Sequence, residues 1–298
     1  MATELTGILV AATTPFTPDG SAVDYENLQR HVDRLVAAGV GGIVPTGTTG
    51  EFTTLTEQEY EDVIAAFIKA ASGRVPVIPG IGSTSTARAV ELAKHADQNG
   101  AAAIMLLPPY YDAPNYEALK VFMRTVAESI SIPIMYYNVP GASGVRLSAD
   151  ELAGLGVIPG VKYMKDTSGD AVTLMDLLVN RQDKIQAFNG WDTLTFFGMA
   201  TGAKASVWGT AGIVPEAAVK LWNTLAVERK LDEALVQWKP LWALCDFLES
   251  VNYVAGIKTA LDLIGQSAGP ARPPVLPLSN SERETLRALL EACGLKTV

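Results

Sequence analysis

Gly160-Val-Lys-Tyr-Met-Lys-Asp-Thr-Ser-Gly169 is the stretch on which the reading of the fold turns. A short β-prone run ends at Lys165, turn residues follow, and Ala171–Val179 then places apolar residues at helical spacing. This is one strand–turn–helix unit. Its lysine sits where the strand stops. Burying an ammonium costs several kcal/mol unless it is paired or loses its proton. A partly desolvated lysine is also the nucleophile that Schiff-base chemistry with a carbonyl compound requires. A solvated lysine at a strand end fits the same local pattern.

The unit recurs on both sides. Other β-prone runs lie at Gly7–Phe16, Gly41–Gly47, Val75–Gly82, Ala101–Tyr110, Pro133–Pro140, Ile185–Asp192 and Lys204–Gly212, the lysine's own being Gly160–Ser168. Amphipathic segments stand between them, among them Tyr25–Ala38, Glu57–Ala71, Ala87–Asn99 and Tyr116–Ile130. Asp24 is a candidate N-cap, and Thr56 with Glu59 and Ser148 with Glu151 have capping-box spacing. Eight such units predict an α/β fold, a (β/α)8 TIM barrel, over residues 1–229. A doubly wound sheet is the rival, but no GxGxxG follows the first strand. From 230 to 298 the pattern becomes helical, with interruptions near Pro240 and Gly256 and a Pro-rich connector at Gly269–Pro277. Trp238, Trp242 and Phe247 are expected in the core of that C-terminal extension.

Composition narrows the function. Of 298 residues, 48% are apolar, enough for a large core. No apolar run approaches the roughly 20 residues of a membrane span. Met1–Thr6 has neither the basic nor the apolar region of a secretory leader. Cys245 and Cys293 lack metal-ligand spacing and read as free thiols of a cytoplasmic protein. A formal charge of −9 without a basic stripe argues against nucleic acid as a partner. His31 and His95 fall in helical segments, which leaves a metal site or a Ser-His-Asp triad without support.

In a barrel, chemistry gathers at the C-terminal ends of the strands. Gly47-Thr48-Thr49-Gly50 offers backbone N–H groups and two hydroxyls, either a carboxylate-binding nest or an ordinary βα turn. Tyr137 ends the fifth run, where a phenol could relay protons during carbinolamine formation and dehydration, or fill core. Tyr136 and Asp166 are expected on the opposite faces of their strands. Glu51 reads as an organiser of the glycine turn. Tyr163, two residues before Lys165 on the same face, reads as barrel filling.

The order GTTGE, PPYY, YYNVP and MKDTSGD resembles the dihydrodipicolinate synthase / N-acetylneuraminate lyase family of pyruvate-type Schiff-base aldolases and hydro-lyases, over essentially the whole chain. The resemblance implies a homotetramer in which Lys165 forms an imine with pyruvate or another 2-oxo acid. Thr48 and Thr49 hold its carboxylate, Tyr137 transfers protons, and Tyr111 reaches into a neighbouring subunit's site. It implies no metal and no organic cofactor, because the protonated imine is itself the electron sink.

Departures bear on the substrate. Dihydrodipicolinate synthases usually carry an arginine two residues after the proline of YNVP, where it holds a second carboxylate; here Ala142 stands there. Ser143-Gly-Val-Arg-Leu147 and Lys165–Asp170 look closer to the N-acetylneuraminate lyase branch. That branch implies substrate contacts at Thr167, Gly190, Asp192 and Gly209. Yet Thr193 replaces its sialate-binding glutamate and Gly209 its serine, while Trp191 and Trp208 are expected to give the site an apolar wall. The expected activity is therefore reversible cleavage of a 4-hydroxy-2-oxo acid or 2-keto-3-deoxy sugar acid to pyruvate and an aldehyde. The alternatives are a dehydratase or hydratase-aldolase using the same imine, a dihydrodipicolinate synthase, and a non-catalytic 2-oxo acid binding protein.

Overall fold

Parallel strands need crossover connections, and the alternation of short apolar runs with capped amphipathic helices supplies them. The structure, a computed structural model, describes residues 4–298. The expectation about a leader at Met1–Thr6 thus lies partly outside the described residues. Among those residues the strands are β1 (Gly7–Ala11), β2 (Gly42–Val44), β3 (Gly80–Ile81), β4 (Ile104–Leu106), β5 (Ile134–Asn138), β6 (Val161–Asp166), β7 (Gln186–Asn189) and β8 (Ala205–Trp208). Their pairings are parallel, in the order β2-β1-β8-β7-β6-β5-β4-β3. Ile43 N–H donates to Pro76 O at 3.0 Å and Gly80 N–H to Pro45 O at 2.8 Å, which joins the two ends of that order. The result is the expected (β/α)8 barrel. The third run, Val75–Gly82, keeps only two residues of regular strand. Pro76 and Pro79 have no N–H to give to a ladder.

Outside the strands lie α1 (Tyr25–Ala37), α2 (Glu57–Ala71), α3 (Thr86–Gln98), α4 (Tyr116–Ala127), α5 (Pro140–Ser143), α6 (Ala149–Leu155), α7 (Ala171–Asn180), α8 (Thr195–Ala200) and α9 (Pro215–Trp222). The capping residues read from sequence act as such. Asp24 accepts from Asn27 N–H, and Thr56/Glu59 and Ser148/Glu151 form reciprocal capping boxes. Each satisfies backbone donors that a helix start otherwise leaves unpaired.

The C-terminal region is α10 (Leu231–Ser250), α11 (Tyr253–Leu263) and α12 (Asn280–Ala292). Pro240 does not interrupt α10, contrary to the sequence expectation. The carbonyl it deprives of a partner belongs to Val236, which is exposed and open to water, while Trp238, Leu241 and Leu244 hold the helix to the core. Gly256 likewise lies inside α11. Trp238 is buried and Phe247 packs against the core, but Trp242 is 45% exposed, on the outer side of α10. One apolar cluster joins Ile8, Val10 and Phe16 of the barrel side to Leu241, Leu248, Ile257 and Leu261 of the extension. The C-terminal helices are therefore packed on the barrel through a shared core, with no solvent layer between.

Strand register sets the site. Tyr137 on β5 lies opposite Lys165 on β6, and Lys165 opposite Phe188 on β7. With side chains alternating along a strand, Tyr163 shares the face of Lys165. Its ring stacks on Phe188 at 5.5 Å and fills the barrel below the lysine.

Candidate active site

Lys165 is 6% exposed, and its Nζ stands 4.4 Å from the centroid of the Tyr137 ring. Tyr137 is itself buried. Burial pushes its phenol pKa up. The positive charge of Lys165, together with hydrogen bonding from Thr48, Thr167 and Lys165, outweighs that and holds it below the ordinary range. The strand ends thus bring together an amine, an acidified phenol and two threonine hydroxyls.

Gly190 is the residue that lets the lysine lie where it does. A Cβ there would stand 2.3 Å from Lys165 Cε, 2.5 Å from its Cγ and 2.6 Å from Thr167 Oγ1. Its role is to leave room for the lysine. Thr167 is tied down by its N–H to Asn138 O at 2.8 Å and by its hydroxyl to Gly190 O at 3.1 Å. Asp166 faces away from the amine, as expected from strand alternation. It accepts from Asn138 Nδ2 at 2.7 Å and from the Ser168 hydroxyl at 3.1 Å.

The Gly47–Gly50 loop is bracketed by two non-glycine residues in the left-handed region, Thr46 at φ 53° and Glu51 at φ 56°. Such conformations cost about 1–3 kcal/mol each and persist only where surrounding contacts over-determine them. Those contacts are present. Thr14 Oγ1 donates to Gly50 O at 2.7 Å, and Thr46 Oγ1 to Gly80 O at 3.0 Å. A Cβ on Gly50 would lie 2.6 Å from Thr46 N, so the turn closes only with glycine. Thr49 is buried and Thr48 is exposed at the rim.

The remaining candidates divide. Asp192 is buried, and its Oδ2 accepts from Tyr253 OH at 2.5 Å and from Thr210 Oγ1 and N–H at 2.5 and 3.1 Å. Burial raises its pKa against those hydrogen bonds and the charge of Lys165. Gly209 faces the same tyrosine, since a Cβ on it would stand 2.3 Å from Tyr253 OH. Tyr111, 92% exposed, projects away from its own barrel and is not assembled with the others. Trp208 corrects the expectation of an apolar wall. It is fully buried on the outer side of β8, 5.8 Å from Trp238 of α10, because strand parity turns Val207 and not Trp208 the other way. Trp191 remains at the rim, its ring in contact with Gly169, where an added Cβ would lie 3.5 Å away.

Sequence reasoning missed Tyr253 and Glu249, both from the C-terminal extension. Glu249 accepts from Thr193 N–H at 3.0 Å and from its hydroxyl at 2.9 Å, placing a carboxylate behind the threonine. Asn252, which caps α11 by accepting from Ala255 N–H, was the local signal that Tyr253 opens a helix. Among the described residues, no group of three or more His, Cys, Asp or Glu side chains is arranged to hold a metal. His31 is buried in α1, and His95 Nε2 lies 3.0 Å from Glu61 O between helices. Both are remote from the strand ends.

A closed parallel barrel thus holds a buried lysine beside an acidified tyrosine at its strand ends, the layout of an enzyme site built around an amine. The family model for the dihydrodipicolinate synthetase family matches residues 4–293, and the chain belongs to that family. It is 37% identical over 289 residues to 4-hydroxy-tetrahydrodipicolinate synthase of Pelobacter propionicus, covering 97% of this chain and 99% of the relative. It is 36% identical over 299 residues to the enzyme of the same name from Methanopyrus kandleri, covering 99% and 98%. Among solved structures, the chloride-inhibited dihydrodipicolinate synthase of Acinetobacter baumannii complexed with pyruvate superposes with a TM-score of 0.93 at 34% identity, covering 98% of this chain and all of the other. The chain is accordingly a pyruvate-dependent lyase of the Schiff-base class acting on a small molecule, in a family that uses a lysine imine and no separate cofactor. No helix among the described residues is long and apolar enough to cross a membrane.

Proposed function

We propose that Lys165 condenses with pyruvate and that the resulting enamine attacks the aldehyde of an amino acid to give 4-hydroxy-tetrahydrodipicolinate, the product for which the relatives are named. The observation that carries this reading is the buried Lys165 amine held 4.4 Å from the Tyr137 ring. The names of relatives aligned over nearly the whole chain favour it over the retro-aldol cleavage expected from sequence. Membership of an enzyme family weighs against a non-catalytic binding protein.

In this reading the groups at the strand ends act as follows. The lysine amine adds to the keto carbon, and Tyr137 delivers the proton with which the carbinolamine oxygen leaves as water. Tyr137, left as phenolate by that step, takes a C3 proton to give the enamine, with the imine nitrogen taking up the electron pair. C3 then bonds to the aldehyde carbon, whose oxygen takes that proton back from Tyr137 to become the 4-hydroxyl. Attack of the acceptor's amine on the imine carbon closes the ring and returns Lys165 as free amine. Thr48 and Thr49 hold the pyruvate carboxylate throughout. Asp192 and Thr167 lie on the acceptor side, and the protein works in the cytoplasm as a homotetramer in which Tyr111 of one subunit completes the site of another.

Ala142 supports a second reading, retro-aldol cleavage or dehydration of a related 2-oxo acid. It is exposed on α5 and offers no cation for a second carboxylate. Borohydride reduction in the presence of pyruvate, followed by peptide mapping, tests the shared step. A reduced adduct on Lys165 is expected; its absence from folded protein sinks both readings. Turnover with an amino-acid aldehyde against neutral and polyhydroxy aldehydes then separates them.

A further inference from the structure

The loop assigned above to the pyruvate carboxylate is anchored from outside the barrel. Glu51, which ends it, is 4% exposed and carries a left-handed backbone. Its Oε1 lies 2.6 Å from Lys258 Nζ of α11, and its Oε2 accepts from the backbone N–H of Arg272 at 2.8 Å. Both partners belong to the C-terminal extension. Lys258 is 3% exposed, donates to Pro270 O at 2.9 Å and lies 4.0 Å from the Phe16 ring centroid. Arg272 is fixed in turn by a two-pronged pair with Glu59, at 2.6 and 2.7 Å, and by donation to Thr54 O at 3.1 Å.

A buried ion pair of this kind is a poor source of stability compared with apolar side chains of the same volume. Its merit is direction. A short, charged contact fixes the Glu51 carboxylate to within a fraction of an ångström, and an apolar contact does not. Glu51 is next to Gly50, and Gly50 is next to Thr49. We infer that Lys258 is a positioning residue for the carboxylate-holding loop: by pairing with Glu51 across the barrel wall, it fixes the strained turn that presents the Thr48 and Thr49 hydroxyls. It makes no hydrogen bond or ion pair with Lys165 or Tyr137 and touches no reacting atom in this scheme. The inference rests on the reading of Thr48 and Thr49 as the carboxylate partners.

The test is the pyruvate concentration that half-saturates borohydride trapping on Lys165 in the full chain. Lys258→Met alone leaves Glu51 as a buried uncompensated charge and can unfold the protein, so the decisive variant is Lys258→Met with Glu51→Gln. Half-saturation is expected to rise about tenfold or more while the trapping rate at saturation stays within about threefold, the pattern of lost uniform binding. Lys258→Arg, which keeps the charge, is expected to restore it. A folded double variant with wild-type half-saturation overturns the inference. Thr48→Val with Thr49→Ala serves as the control. If it raises half-saturation and the Lys258/Glu51 variant does not, the positioning role alone fails. If it changes nothing, the carboxylate assignment fails and the inference goes with it.

Discussion

Gly190→Ala is the smallest change that should disable the site. The added methyl would stand 2.3 Å from Lys165 Cε and 2.5 Å from Cγ. Carbon atoms rest at about 3.5–4.0 Å, so an ångström or more of movement is forced. Gly190 cannot supply it, because its N–H donates to Asp166 O at 2.7 Å and its carbonyl accepts from Thr167. The lysine must therefore leave its rotamer, at about 0.5–1.5 kcal/mol per displaced torsion, and overpacking adds about 1–3 kcal/mol of lost stability. Misplacing a reacting group by about 1 Å costs on the order of 10²-fold in rate. Gly190→Ala is expected to fold, to lose on the order of 10²-fold in kcat/KM, and to trap pyruvate on Lys165 correspondingly more slowly. Steady-state kinetics and borohydride trapping read both quantities. A folded variant that traps pyruvate at the wild-type rate would refute the placement of the lysine against Gly190.

Two further outcomes depend on protonation. Tyr137→Phe is expected to lower kcat on the order of 10²–10⁴-fold, the usual worth of a positioned acid–base group. If the phenol donates the proton, activity falls as pH rises through its pKa, which lies below the ordinary value of about 10. Removing a hydrogen-bond partner in Thr48→Val should move that alkaline limb to higher pH, and a limb that stays put would remove Tyr137 from the proton path. His31 has no partner for Nε2, and burial lowers its pKa from 6.5 to about 3. The folded state keeps it neutral while the unfolded chain takes up a proton below pH 6.5, so its contribution to stability is lost as pH falls from there towards pH 3. Between pH 7 and 5.5 that loss is about 1 kcal/mol, and denaturant titrations of His31→Gln should show a flatter pH dependence by that amount.

The barrel, and the meeting of Lys165 with Tyr137 at its strand ends, were legible because their signals are local. Thr56 and Glu59 are three residues apart, and Lys165 and Tyr137 each end a run whose alternation fixes their face. What was not legible depends on distance or on competition between local rules. Glu51 meets Arg272 across 221 positions, and no periodicity in either segment announces the other. Trp208 and Val207 are both apolar, so the choice of which enters the barrel follows from register with β1 and not from composition. Pro240 obeys the rule for helix breakers until tertiary packing overrides it. Trp242 sits four residues from Trp238, near enough in phase to suggest burial, yet far enough round the helix to emerge at the surface.

The acceptor side of the proposed reaction is where its substrate is decided. One oxygen of the Asp192 carboxylate already accepts three hydrogen bonds, two from Thr210 just after β8 and one from Tyr253 at the start of α11. A carboxylate-bearing acceptor would need a cation, and Ala142 stands at the position where the resemblance set out above implies an arginine. The place is open. Ala142 is exposed, and a Cβ on the adjacent Gly141 would meet nothing within 4 Å. Ala142→Arg therefore has room to fold. A charged hydrogen bond to a carboxylate contributes about 1.5–3 kcal/mol, or roughly 10- to 10²-fold in kcat/KM for an amino-acid aldehyde, with neutral aldehydes little changed. If the variant gains on the carboxylate acceptor alone, position 142 lines the acceptor and its alanine has tuned the enzyme towards other substrates. If neither class responds, position 142 does not face the acceptor. The case for retro-aldol cleavage or dehydration would then lose the observation on which it stands.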